Sequence, residues 1–305
     1  TTLNLDLYLK NNKIESYEVN GVVKNFFAKL QNLDFKKASF VYLFKKNKGE
    51  LNNIRGTING FQINSGKIEF NNLKSLNIKG NLKKTFDLNQ NNIDQFSKLK
   101  MLKNISELEI TGKTQSSFIF DFDKTLKLID YKIESLGNIN KTEIKIKKPI
   151  KYQFLKKNID YISLNKTEFK INYEKEKKKL INISGSYKIN NNSFQKYEVK
   201  HVYESKLQKL YIKGDFDNEI NLPILNFNSK NKILSINTEL EIKPNFFLFK
   251  KFILKEGKSK IDFNNLNIKD KKLIKLDNLT VKTFNDDKFN NDFNLSFGRV
   301  IKLKG

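Results

Sequence analysis

Apolar residues recur at every second position along much of this chain. In 1–10, Leu3, Leu5, Leu7 and Leu9 share one parity, while Thr2, Asn4, Asp6, Tyr8 and Lys10 take the other. Successive side chains of a β-strand point to opposite faces, so this spacing predicts a half-buried strand. The alternation returns at Phe118, Phe120 and Phe122, at Ile144, Ile146, Ile150 and Tyr152, at Ile162 and Leu164, and at Phe169, Ile171 and Tyr173. It continues through Leu240 and Ile242, Ile261 and Phe263, Leu266 and Ile268, Leu279 and Val281, then Phe293, Leu295 and Phe297. Short links of Asn, Lys, Asp or Gly separate the runs, which favours antiparallel meander connections.

One stretch departs from this period. In 91–105, Ile93, Phe96, Leu99 and Leu102 fall three residues apart, with Lys98, Lys100 and Lys103 on other faces, which predicts a short amphipathic helix. A weaker helix candidate is 244–251, where Pro244 is placed to start a turn. Pro149, Pro223 and Pro244 mark individual turns or edges, and no Pro-, Gly- or Ser-rich linker divides the chain. The expected fold is therefore all-β with one or two short helices, in a single segment spanning 1–305.

An Ile-x-Gly element repeats at 58–60, 78–80, 110–112, 183–185 and 212–214, followed on the same face by Tyr187 and Phe216 in the last two. Residues two apart share a face, so each glycine falls on the apolar side, where it leaves room. Two readings stay open: a bulge or close backbone approach, or a hollow with a function.

Composition narrows the function. With 305 residues, 38% of them hydrophobic, the chain is built to fold rather than stay disordered. Asn alternates with Ile, Leu and Phe instead of forming tracts, and so reads as solvent-facing strand positions. The net charge of +25 invites a phosphate-rich partner. Of the 58 basic residues, however, only Arg55 and Arg299 are arginine, the side chain suited to forked recognition of bases and phosphates. Nucleic acid is thus not the expected partner, and lysines on exposed strand faces have the simpler task of discouraging edge-to-edge aggregation. The absence of cysteine excludes disulfides and thiolate metal sites. No apolar run approaches the roughly eighteen residues of a spanning helix. The chain opens on Thr1 rather than Met, so it is expected to be part of a longer or processed protein.

The sharpest chemical motif is Asp121-Phe122-Asp123-Lys124-Thr125 after the apolar 118–120, which resembles the first motif of haloacid-dehalogenase-type phosphatases. The resemblance implies Asp121 as nucleophile and Asp123 as general acid, with Asp215 and Asp217 as a second acidic element. That chemistry requires a parallel sheet with helical crossovers, whereas 126–133 resumes strand alternation at Leu126, Leu128, Tyr131 and Ile133. No enzyme is expected, and no cofactor. His201 has no second His or Cys with which to build a transition-metal site. The charged run 174–179 reads as a solvated hairpin tip.

Taken together, 19–23, 54–61, the Asn-Ser-Gly-Lys-Ile-Glu-Phe of 64–70, the helix at 91–105, the returns at Gly185 and Gly214 and the stretch 256–263 resemble the AsmA-like family, and within it the YhdP-like repeat segments. The lack of Trp and the strong basicity depart from that pattern. The resemblance implies an elongated, twisted antiparallel sheet forming an open groove that conducts phospholipid between the inner and outer membranes of a Gram-negative bacterium. It places the chain in the periplasm, held to the inner membrane by an anchor missing from this sequence. Phospholipid acyl chains and the two membranes are the partners it implies. The candidate groove-lining residues are Ile78, Leu82, Ile110, Phe118, Phe120, Phe122, Ile183, Tyr187, Ile212 and Phe216. The residues themselves leave a choice, because a one-faced sheet must either fold onto protein or meet an apolar ligand. A structural or adhesive β-solenoid or sandwich at the cell surface is the alternative.

Overall fold

The computed structural model describes residues 1–30, 33–59, 61–73, 75–89, 104–229, 233–270, 272–285, 288–297 and 301–304. The chain divides into two compact units. Thr1–Lys98, Glu109–Ile139 and Phe169–Lys177 form the first, and Leu99–Leu108, Asn140–Glu168 and Lys178–Gly305 the second.

Strands dominate, as the alternation predicts. The first six are β1 (Thr2–Lys10), β2 (Lys13–Leu30), β3 (Leu33–Lys45), β4 (Lys48–Ile58), β5 (Phe61–Asn72) and β6 (Leu76–Asn89). Each pairs antiparallel with the next. Three long strands follow, β7 (Ile105–Phe122), β8 (Leu128–Ile150) and β9 (Ile159–Glu174), with β7 antiparallel to β6. The meander resumes with β10 (Lys179–Ile189), β11 (Gln195–Glu204) and β12 (Leu207–Phe216). A short ribbon, β13 (Asn221–Leu222) and β14 (Phe227–Asn228), encloses a 3-10 turn at Pro223–Leu225. Then come β15 (Leu234–Lys243), β16 (Phe246–Glu256), β17 (Ser259–Lys269), β18 (Lys272–Lys275), β19 (Asn278–Asn285), β20 (Lys288–Phe297) and β21 (Ile301–Lys304). Among the described residues nineteen of these strands belong to one sheet, the ribbon standing apart.

Asparagine has a task that alternation alone does not reveal. Asn4 and Asn20 do face each other on a polar surface, amide to amide at 3.0 Å. Yet of the fifteen described non-glycine residues with positive φ, nine are Asn. Its short polar side chain tolerates the left-handed region better than other residues do. Asn11 and Asn12, at φ 51° and 59°, form the two-residue turn that joins Lys10 to Lys13. Asn25 and Asn53 lie where two residues of one strand oppose one of its neighbour, which is a β-bulge.

The helix expected at 244–251 is not formed. Pro244 and Asn245 make the tight turn between Lys243 and Phe246, Asn245 lying at φ 58°, and the chain continues as β16. The proline opens a hairpin here because Phe247 and Phe249 have Ile242 and Leu240 to pair with across the ladder. The helix expected at 91–105 falls on residues outside the described ones, apart from its last two; of these Ile105 already belongs to β7.

The second unit has a closed core. Ile220, Leu234, Leu254, Ile261 and Val281 are buried together, with Leu155, Phe216, Leu222, Leu225 and Phe252 packed around them. The cover is the link between β12 and β15. Its Ile220, Leu222 and Leu225 lie on the apolar positions of β15, β16, β17 and β19. Polar bonds hold this cover down: Ser229 Oγ accepts from the Ile220 amide at 2.7 Å, and the Asn290 side chain donates to Asn226 O at 2.9 Å. Truncating the centre of this cluster, Leu234→Ala, is expected to cost about 2–5 kcal/mol, whereas Leu5→Ala on the exposed β1 stays within about 0.5 kcal/mol. Urea unfolding followed by far-ultraviolet circular dichroism compares the two.

Candidate functional site

Cross-strand register sorts the first unit into an apolar and a polar face. Phe70, Ile78 and Phe120 are direct partners across β5, β6 and β7, and Ile68, Gly80 and Phe118 form the next rung. On the same side, Leu76 opposes Phe122, Leu82 opposes Ser116, and Leu88 opposes Ile110. Thus six of the ten predicted lining residues, Ile78, Leu82, Ile110, Phe118, Phe120 and Phe122, lie on one face of two adjacent strands, all half-buried. Farther toward β1 the face gains Phe44, Tyr42, Val19 and the β1 leucines. Leu3, Leu5, Leu7 and Leu9 are 67%, 53%, 51% and 65% exposed.

Aromatic rings give this face its texture. Tyr42 and Phe44 are 5.8 Å apart, Phe44 and Phe70 6.2 Å, Phe61 and Phe86 6.0 Å, and Phe118 and Phe120 5.2 Å, within the range of favourable ring pairs. They also occupy the room that the glycines leave. A Cβ on Gly80 would meet the Phe118 ring at 2.2 Å, one on Gly112 the Phe86 ring at 2.5 Å, and one on Gly49 the Phe44 ring at 2.3 Å. The glycines of the first unit therefore do not open hollows; a neighbour's ring lies across each of these three. Gly60 lies outside the described residues.

The other four predicted residues belong to the second unit. Ile183, Val199 and Ile212 form one rung of β10, β11 and β12, while Tyr187 opposes Gln195. Gly185 is closed by Thr167, and Gly214 by the Lys196 carbonyl and Tyr197. Phe216 opposes Leu234 and packs against the closed core. Tyr187 donates to the Asp215 carbonyl at 2.7 Å, and burial, reinforced by Asp215 and Asp217, pushes its phenol up to about 12.

The opposite face of the first unit is more polar and carries lysines such as Lys45, Lys67, Lys79 and Lys83. Lys67 bridges Glu69 at 2.7 Å and Glu50 at 3.2 Å, and Lys45 meets Glu18 at 2.9 Å. Such exposed pairs contribute about 0–1 kcal/mol each, so they orient the surface more than they stabilise it.

The phosphatase-like motif serves the chain turn. Asp121 accepts from the Asn77 amide across the ladder. Asp123 accepts from Thr125 Oγ1 at 2.7 Å, the Thr125 amide at 2.8 Å and the Lys127 amide at 3.0 Å, which closes the loop after β7. These bonds, the Thr125 hydroxyl first, hold its carboxyl below the usual range, opposite to what a general acid needs. His201 Nε2 meets Gln208 Oε1 at 3.2 Å. Among the described residues no three His, Cys, Asp or Glu side chains gather where they could hold a metal.

Lys84 went unremarked in the sequence. Its signal was parity: the even positions from 76 to 88 read Leu, Ile, Gly, Leu, Lys, Phe, Leu, which puts a charge on the apolar side. Neither a protein family, nor a curated protein, nor a solved structure matches the chain.

Gly80→Val is expected to cost about 1–3 kcal/mol through displacement of the Phe118 ring, and less when Phe118→Ala is already present. A double-mutant cycle of urea midpoints measures that coupling. Because the folded pKa of Tyr187 is raised, the stability it lends is fully present below its ordinary value of 10.0 and drains as pH climbs toward about 12. Tyr187→Phe should remove the latest step of the 295 nm alkaline titration and flatten the loss of stability over that window.

Proposed function

We propose that this chain is a non-catalytic, lipid-binding segment of a bacterial envelope protein. The apolar face of its first unit receives phospholipid acyl chains, and the protein carries them between the inner and outer membranes. On this reading the chain works in the periplasm, and its inner-membrane anchor belongs to a segment outside these residues. No described helix is long and apolar enough to cross a membrane.

One observation carries the reading. The rungs Leu76 with Phe122, Phe70 with Ile78 and Phe120, and Ile68 with Phe118 are apolar, contiguous and partly exposed, none of these side chains being fully buried. Contiguous apolar surface of this kind is seldom left open without a partner. An acyl chain laid along it gains about 0.8 kcal/mol for each methylene removed from water, with no directional contacts to break as it slides. The turn-capping bonds of Asp123 support the non-catalytic part. The closed core around Leu234 favours a purely structural role for that part of the second unit, where protein already covers the apolar positions.

Purified chain should retain phospholipid, released by organic extraction and identified by mass spectrometry, and should bind the neutral dye N-phenyl-1-naphthylamine. Phe120→Glu should weaken dye binding roughly tenfold or more by placing a charge where the chain must lie. Ile119→Glu, on the opposite face, should not. Absence of both lipid and dye binding would overturn the proposal.

A further inference from the structure

Along β5, β6 and β7 of the first unit, the apolar face carries one charge among the described residues. Lys84 lies between Leu82 and Phe86 on its own strand, opposite Ile63 on β5 and Thr114 on β7. Ile63 is 3% exposed, and neither partner is charged. The other lysines of this region stand on the polar face or pair with carboxylates, as Lys67 does. Lys84 has neither an ion pair nor a hydrogen bond among the described residues, and burial lowers the affinity of its amine for a proton. An ammonium held among apolar side chains without an anion is costly unless something supplies the anion.

Beside it lies a hydroxyl with a proton to give. Ser116, one rung along the ladder and opposite Leu82, is buried, and its Oγ accepts from Ser135 Oγ at 2.9 Å. A hydroxyl that accepts one bond keeps a proton that it can donate to another acceptor. Thr114 donates instead to the Leu136 carbonyl at 3.1 Å, which leaves its oxygen as an acceptor only. A cation and one hydroxyl donor match a small, singly charged acceptor. From Lys84 toward Leu76 the face then runs apolar for roughly 26 Å at the rise of a strand, past Leu82, Phe118, Ile78 and Phe120.

We propose that Lys84 and Ser116 form a head-group site on this face, taking the carboxylate of a single-chain amphiphile whose tail lies along Leu82, Ile78, Phe118 and Phe120. The site rests on the reading above that this face takes acyl chains, and adds to phospholipid a second, single-chain ligand; a phospholipid head group would lie off the site. A carboxylate can be desolvated against one ammonium and one hydroxyl. A glycerophosphodiester would bring further polar groups against Ile63 and Phe86, which offer them nothing.

Displacement of N-phenyl-1-naphthylamine from the purified full chain tests it with oleate, oleyl alcohol and 1-oleoyl-lysophosphatidylglycerol. Oleate should compete roughly tenfold or more better than oleyl alcohol, as a charge-assisted bond implies. Lys84→Met should erase that preference without weakening oleyl alcohol, Lys84→Arg should keep it, and Lys79→Met, on the polar face, should leave it untouched. Survival of the oleate preference in Lys84→Met would overturn the site while leaving the lipid reading intact. Equal Lys84-dependence for the lysophospholipid would overturn the assignment to a carboxylate. If neither dye nor any amphiphile binds the wild-type chain, the lipid-binding reading fails and takes the site with it.

Discussion

Cross-strand register holds this protein together and decides what it can do. Because side chains alternate with a period of two, a slip of one residue between neighbours would send an entire apolar row to the polar side. Phe70, Ile78 and Phe120 share a rung only because the ladder is kept in step from turn to turn. Where the sequence loses its parity, the backbone restores it. Val23 and Phe26 share a face across the bulge at Asn25, as do Leu51 and Ile54 across that at Asn53. The extra residue in each bulge adopts a left-handed conformation that Asn accepts at little cost.

Among the described residues of the first unit, neighbouring side chains on one face have to supply much of each other's packing. Rings laid over glycines supply part of it. Phe118 over Gly80 and Phe86 over Gly112 bury aromatic surface against the backbone of the next strand, a contact that any larger residue would obstruct. The charges follow from the same division. Lysines crowd the polar side, where water and scattered carboxylates accommodate them, and a strongly basic chain can keep an apolar surface without precipitating through its strand edges.

The two units resolve the demand for cover differently. In the second, the link between β12 and β15 folds back over Leu234, Leu254, Ile261 and Val281 and makes a dry core, pinned by Ser229 and Asn290. In the first, Tyr42, Ile63 and Leu88 are buried but the row from Phe70 through Ile78, Phe118 and Phe120 stays partly exposed, and Lys84 and Ser116 introduce polarity into the face. Stability is concentrated where protein closes on protein. The first unit instead keeps contiguous apolar surface that its described residues leave partly open.

By itself, the sequence determined the strands, their antiparallel succession and which residues are apolar on each. These depend on local alternation and turn chemistry, and six of the ten residues predicted to line a groove fall on one face of β6 and β7 because parity survives within a strand. Only the tertiary structure decided what each position meets. Gly80 and Gly112 could be read as close approaches or as hollows until the rings of Phe118 and Phe86 were placed over them. Pro244 looked like a helix start until Phe247 and Phe249 found partners in β15. The phosphatase-like spelling of Asp121 to Thr125 was already at odds with the alternation resumed at 126–133, and the structure added that Asp123 caps its own loop. Lys84 was one lysine among many until register set it opposite Ile63 and Thr114. Apart from Asp123, whose partners lie two and four residues along its own loop, the deciding contact joins separate strands, and the local pattern of one strand carries no record of the register that aligns it with the next.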